Sequence, residues 1–303
     1  MNGSVVNGPV VSRILVQHLT LAAILLAPIS ALAGGQPLKS ASVAAGARSA
    51  QTSKANRRTS SATAPATTAA NVLPSQPNVY MLPHIVTGVG YVTKITVVNT
   101  STTAASGQIN FIGRDGSLLS TTAFSLAPGA TFRFQTNESD RFGPYVINWA
   151  AVGSDQPVGI NLFFEYIPQG GGPHGVANSA GFSPSALLTD FTILVEVEPT
   201  PADASIGRTV GVALANPNSS PANVTVSLVD FYGEVDASTT LSVPAFGQIT
   251  FDPQTMATIG SAYPDSDYLG SLIISSSVPL AALAVQDTYG PFASTPILPG
   301  RGL

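Results

Sequence analysis

The stretch GYVTKITVVNTSTTAASGQINFIGRDG (residues 90–116) lies on GRTVGVALANPNSSPANVTVSLVDFYG (residues 207–233) without a gap, at a constant offset of 117 positions. Asn99 falls on Asn216 and Gly116 on Gly233. Within each stretch apolar residues recur at every second position, as in Ile95/Val97, Ile109/Phe111, Val210/Val212/Leu214 and Val224/Val226/Leu228, with Thr, Ser, Asn and Gln between them. A period of two puts one face of a strand into a core and the other into water, which predicts half-buried antiparallel strands. Asp115-Gly116, Pro128-Gly129, Gly143-Pro144, Pro157, Gly233, Pro244 and Pro279 punctuate the strands with turn chemistry.

The match continues outward. LAPGATFRF meets VPAFGQITF, and GSDQPVGINLFFEY parallels SSSVPLAALAVQDTY, with Pro157 facing Pro279. No run of eleven residues after position 34 has helical periodicity. The expectation is an all-β chain of two homologous antiparallel β-sandwich modules, immunoglobulin-like or fibronectin-like, over residues 78–185 and 186–303. About 110 residues per copy suits a seven-stranded sandwich with its own core, and the copies could also pack through a shared face.

The 303 residues include only 12 Lys/Arg and 16 Asp/Glu, no Cys, 3 His and 1 Trp. Without cysteine there is no disulfide framework, thiolate metal site or thiol nucleophile. The charge is unevenly placed. Arg13, Lys39, Arg48, Lys54, Arg57 and Arg58 all precede residue 78, and the first carboxylate of the chain is Asp115. That leaves six cations against 16 carboxylates from residue 78 onward, a net charge of −10 there, which argues against nucleic acid as a partner.

Residues 1–33 read as a secretory signal: Arg13, an apolar run over 14–26, Pro28, then Ala31-Leu32-Ala33, with cleavage expected after Ala33. No later segment is a candidate membrane span by length and apolarity. Residues 34–77, rich in Ala, Ser and Thr, read as a disordered basic linker.

The ordered run of alternating strand, Asn-Ser/Thr turn, strand, Gly hairpin, Pro-led strand and a closing S-x-x-P-V/L resembles a repeat module of secreted bacterial proteins, largely uncharacterised and usually in tandem. The resemblance covers about residues 78–300. It implies a fold and an extracellular setting, and it brings across no catalytic residue; the expected location is secreted, extracellular or cell-surface, with the periplasm as the alternative.

Few residues point to chemistry. There is no H-E-x-x-H, G-x-S-x-G or phosphate-cradling Gly-rich loop; GFSPS at 181–185 has Ser where the last Gly belongs. Asp265, Asp267 and Gly270 resemble the opening of a calcium loop, but Leu269 and Ser276 stand at the fifth and twelfth ligand positions. His84 and His174 are the only bases a serine hydrolase could use, and the GGGPHG around His174 reads as a connector. Tyr91, Tyr166, Tyr145 and Trp149 are candidates for a sugar-stacking platform, although Trp149 shares the register of Ile147 and is expected in the core. The expectation is a non-enzymatic structural or adhesive protein with no cofactor, meeting extracellular protein or polysaccharide and able to self-associate through edge strands. A carbohydrate-binding module is the alternative, and a secreted hydrolase the third reading.

Overall fold

The computed structural model describes residues 72–137, 143–168, 175–198, 207–262, 268–288 and 291–300. All strand pairings among them are antiparallel. The first half contributes β1 (Asn78–Thr87), β2 (Tyr91–Asn99), β3 (Ala105–Gly113), β4 (Leu118–Leu126), β5 (Thr131–Gln135), β6 (Val146–Ser154), β7 (Val158–Tyr166) and β8 (Asn178–Phe182). They form two four-stranded sheets, ordered β1-β6-β3-β4 and β5-β2-β7-β8. Leu82, Ile109, Phe111 and Val152 of one sheet meet Ile95, Val97, Leu162 and Phe164 of the other in a buried core.

The second half contributes β9 (Leu187–Val197), β10 (Arg208–Ala215), β11 (Ala222–Asp230), β12 (Val235–Val243), β13 (Gln248–Phe251), β14 (Tyr268–Thr288), β15 (Phe292–Thr295) and β16 (Ile297–Pro299). A short 3-10 turn, Pro253–Thr255, and the one-turn helix α1, Ala257–Gly260, follow β13. The 21-residue β14 does the work of two strands. Its first part pairs with β11 and β9, its last part with β10 and β15, and its register against β9 shifts between Ser275 and Leu280. The local orders β12-β11-β14-β9 and β13-β10-β14-β15 therefore match β4-β3-β6-β1 and β5-β2-β7-β8, strand for strand. In the first half the same path is broken at Asp155-Gln156-Pro157, between β6 and β7.

The first half has eight strand positions and the second nine, with β16 added beside β9, where seven each were expected. The order also departs from the immunoglobulin arrangement, in which the first strand lies beside the second and the last beside the sixth. Here β1 lies beside β6, and β7 lies beside β2.

One buried amide in each half ties its turns together. Asn99 donates from Nδ2 to the carbonyls of Thr103 and Leu126, and its Oδ1 accepts from Ser101 N. Asn216 donates to Ser220 and Val243, and its Oδ1 accepts from Asn218 N. Both are almost fully buried, so the fixed offset of these asparagines reflects turn carbonyls that have no access to water.

The halves share apolar surface. Ala213, Leu283, Val285 and Phe292 project from the β13-β10-β14-β15 layer into the first half's core. Ala215 and Ala281 join Met81, Ile112, Trp149 and Ala151 in a separate buried cluster. Trp149 is fully buried, but on the face of β6 opposite to Ala150 and Val152, so it leaves the first half's sandwich core and seals the junction. Its indole Nε1 donates to Phe246 O at 2.9 Å. Phe246 itself has φ +52°, a left-handed conformation costly for a residue with a Cβ.

The matching layer of the first half has a different outward face. Lys94, Thr96, Asn161 and Phe163 stand in register where Gly211, Ala213, Leu283 and Val285 stand in the second half, and Lys94 forms an ion pair with Glu165. A small apolar face can be covered by another layer. A face carrying an ion pair is suited to water.

Candidate functional site

The β11–β12 hairpin closes through Asp230, whose Oδ1 accepts from Tyr232 N at 2.9 Å and Glu234 N at 2.8 Å. Gly233 follows at φ +90°, with the backbone bond Gly233 N to Asp230 O completing the turn. This clamp leaves the two residues at the apex no route into the core. Phe231 is 66% exposed and Tyr232 78% exposed. Their ring centroids lie 3.8 Å apart at 37°, so the pair presents one continuous apolar surface.

A groove of about 380 Å³ opens beside the tip, lined by Glu196, Val197, Glu198, Asp230, Phe231, Tyr268 and Leu269. Leu269 is paired with Glu196, and Ser271 with Leu194, so exposed Leu194 and Leu269 occupy one sheet face as diagonal neighbours. Arg208 bridges Glu196 and Glu198. Tyr268 donates its hydroxyl to Asp236 Oδ2 at 3.0 Å, and burial together with that bond raises its pKa. The result is an aromatic and aliphatic patch with a carboxylate-rich rim. Such a surface can stack on the flat apolar face of a ligand and accept hydrogen bonds from hydroxyl or amine groups around it.

The residues singled out from the sequence fall elsewhere. Tyr91 is buried, with its ring 5.0 Å from Tyr166, 6.1 Å from Tyr145 and 6.4 Å from Phe292. Burial raises the pKa of both Tyr91 and Tyr145. The structure thus gathers three of the platform candidates into packed core; Tyr166 is half-buried among them and Trp149 lies at the junction. Asp265, Asp267 and His174 lie outside the described residues.

His84 sits at the irregularity in β1 between Leu82 and Ile85, 2% exposed, edge-on to Phe164. Gln248 Nε2 donates to Pro83 O at 2.6 Å and lies 3.3 Å from His84 Nδ1. Burial, with a smaller effect of Arg114, pushes the imidazole pKa down to about 3. Ser185 of GFSPS spends its hydroxyl on the backbone, donating to Ala186 O and accepting from Ala282 N. It therefore works as a joint between the halves.

The tip aromatics were missed because DFYGE was read only as the turn around Gly233. The available signal was two consecutive aromatics at a hairpin apex, where a ring cannot reach the core of its own hairpin. Comparison of the chain with known protein families, characterised proteins and solved structures gives no match. Fold and site together define an all-β protein of antiparallel sandwich layers with an aromatic hairpin tip. Among the described residues no helix is long and apolar enough to cross a membrane.

Proposed function

We propose that this protein is a secreted or cell-surface, non-enzymatic adhesive scaffold, built from two copies of one sandwich module, whose contact point is the Phe231–Tyr232 tip. The observation that carries the reading is the clamped exposure of these two rings beside an apolar groove. Monomeric proteins rarely leave such surface uncovered without a partner for it. The signal read at residues 1–33 and the 117-residue offset support export and duplication.

The rings also favour the carbohydrate-binding reading, since a sugar ring can stack on them while Glu196 and Glu198 accept from its hydroxyls. The acidic rim disfavours anionic glycans. The test uses the full chain on a glycan array and on isolated envelope material, before and after protease treatment. Phe231→Ala/Tyr232→Ala is expected to weaken binding about tenfold or more, with a stability change within about 0.5 kcal/mol because neither ring supports the core. Glycan-array binding selects polysaccharide; protease-sensitive envelope binding selects protein. Binding that is unchanged in the double variant, or absent from every surface, overturns the reading.

A further inference from the structure

The β4 edge carries a second, independent contact. Its sequence LLSTTAFSL (Leu118–Leu126) contains no charge and no proline, and β4 pairs only with β3. A free edge presents a row of backbone donors and acceptors that another strand can complete, and natural edges are commonly guarded by charge, proline or cover. The other edges are guarded or covered: β1 contains Pro83 and packs against β10 and β14, and β8 and β15 lie against each other. The matching strand β12 carries Asp236 at the bulge position that Leu119 occupies in β4, and α1 packs against it. β5 carries Arg133. β13 donates from Gln248 N to Arg114 O of the first half, and β16 is three residues ending in Pro299. Leu119, where β12 has its carboxylate, is 53% exposed.

We propose that two copies of this chain pair through β4, antiparallel about a two-fold axis at Thr122. That register is regular over residues 120–124, clear of the β-bulge that β4 makes at Leu119 against β3. It sets Leu118 opposite the partner copy's Leu126, Leu119 opposite Ser125 and Thr121 opposite Ala123, with no charge opposed anywhere. It also keeps residues of one face on one face, so Phe124 and Leu126 of both copies stay on the core side of a continuous sheet. The pairing is isologous and closes at a dimer. It holds whether or not the aromatic tip meets a ligand.

The experiment is sedimentation of the full chain across micromolar concentrations. A dimer is expected for the natural sequence. Leu119→Lys/Ser125→Lys sets like charges opposite one another and is expected to raise the dimer Kd about tenfold or more. Leu119→Lys/Ser125→Glu sets opposite charges there and is expected to restore dimer. Thr122→Cys provides the only cysteine of the chain, and its oxidation is expected to yield a covalent dimer. A natural chain that stays monomeric at all concentrations overturns the proposal. So does a dimer that ignores the charge pairs, which would move the interface elsewhere. Unchanged thermal unfolding of the lysine variant at low concentration separates lost pairing from lost folding.

Discussion

In the first half the β3–β4 hairpin ends in Arg114-Asp115-Gly116 and presses onto the second half. In the second half the β11–β12 hairpin ends in Phe231-Tyr232-Gly233 and stands in solvent. The turns are alike, with Gly116 at φ +86° and Gly233 at φ +90°. Their surroundings are opposite. A Cβ at Gly116 would lie 2.3 Å from Ala245 O, whereas one at Gly233 would meet nothing within 4 Å. Two hairpins of matching geometry differ at the apex: one joins the halves and the other faces outward. The layer faces divide in the same way, Lys94 and Glu165 on one and Gly211, Ala213, Leu283 and Val285 on the other. One face is covered by the other half and the other is not.

The largest break in this comparison should come from Trp149→Ala, which empties the junction of its biggest side chain and leaves Phe246 O without the indole. A loss of about 3–5 kcal/mol is expected in urea unfolding. The natural chain is expected to unfold in one transition, since each half completes the other's buried surface. Two separate transitions, with only one moved by the substitution, would show that the halves stand alone.

Acid should act next, through the same junction. His84 titrates near 6.5 when unfolded and at about 3 when folded, so the unfolded chain binds more protons in between and stability falls as the pH is lowered. Its contribution is complete above pH 6.5. About 2–3 kcal/mol of it should be gone at pH 4.5. Asp252 acts in the opposite sense. Its carboxyl, raised by burial from 3.8 to about 6, stabilises below pH 3.8 and loses that effect as pH rises through 6. The natural chain should therefore lose stability between pH 7 and 4.5, and His84→Asn should flatten or invert the trend. An equal slope in the variant would remove His84 as its cause.

The smallest and most discriminating effect is the difference within the glycine pair. Gly233→Ala should cost about 1–2 kcal/mol, the left-handed penalty alone. Gly116→Ala should cost about 1–3 kcal/mol more, for the collision with Ala245. Equal losses in urea titrations would mean that the first hairpin is not held against the second half.

Much of this architecture was readable from residue pattern. Asn99 and Asn216, Gly116 and Gly233 kept their spacing because a buried amide and a left-handed turn each tolerate few side chains, and they located the strands between them. The face that becomes a junction was less visible, although it left a trace. VGVALA (210–215) and LAALAV (280–285) are continuous apolar runs, where KITVV (94–98) and GINLFFE (159–165) alternate. Strands covered on both sides lose their alternation. Trp149 is buried, as its shared register with Ile147 predicts, and the cluster it enters is the one at the junction. Period two tells which residues share a side; which side is inward depends on layers far away in sequence. The aromatic tip was missed for a related reason, since turn chemistry explains Gly233 and Asp230 but is silent on what an apex residue is for.

Trp149 has a practical consequence. It is the only indole in the chain, and it sits where the two halves meet, so its emission wavelength follows the dryness of that junction. Any parting of the halves, by acid, denaturant or pulling on the chain, would be visible in the unlabelled protein as a red shift.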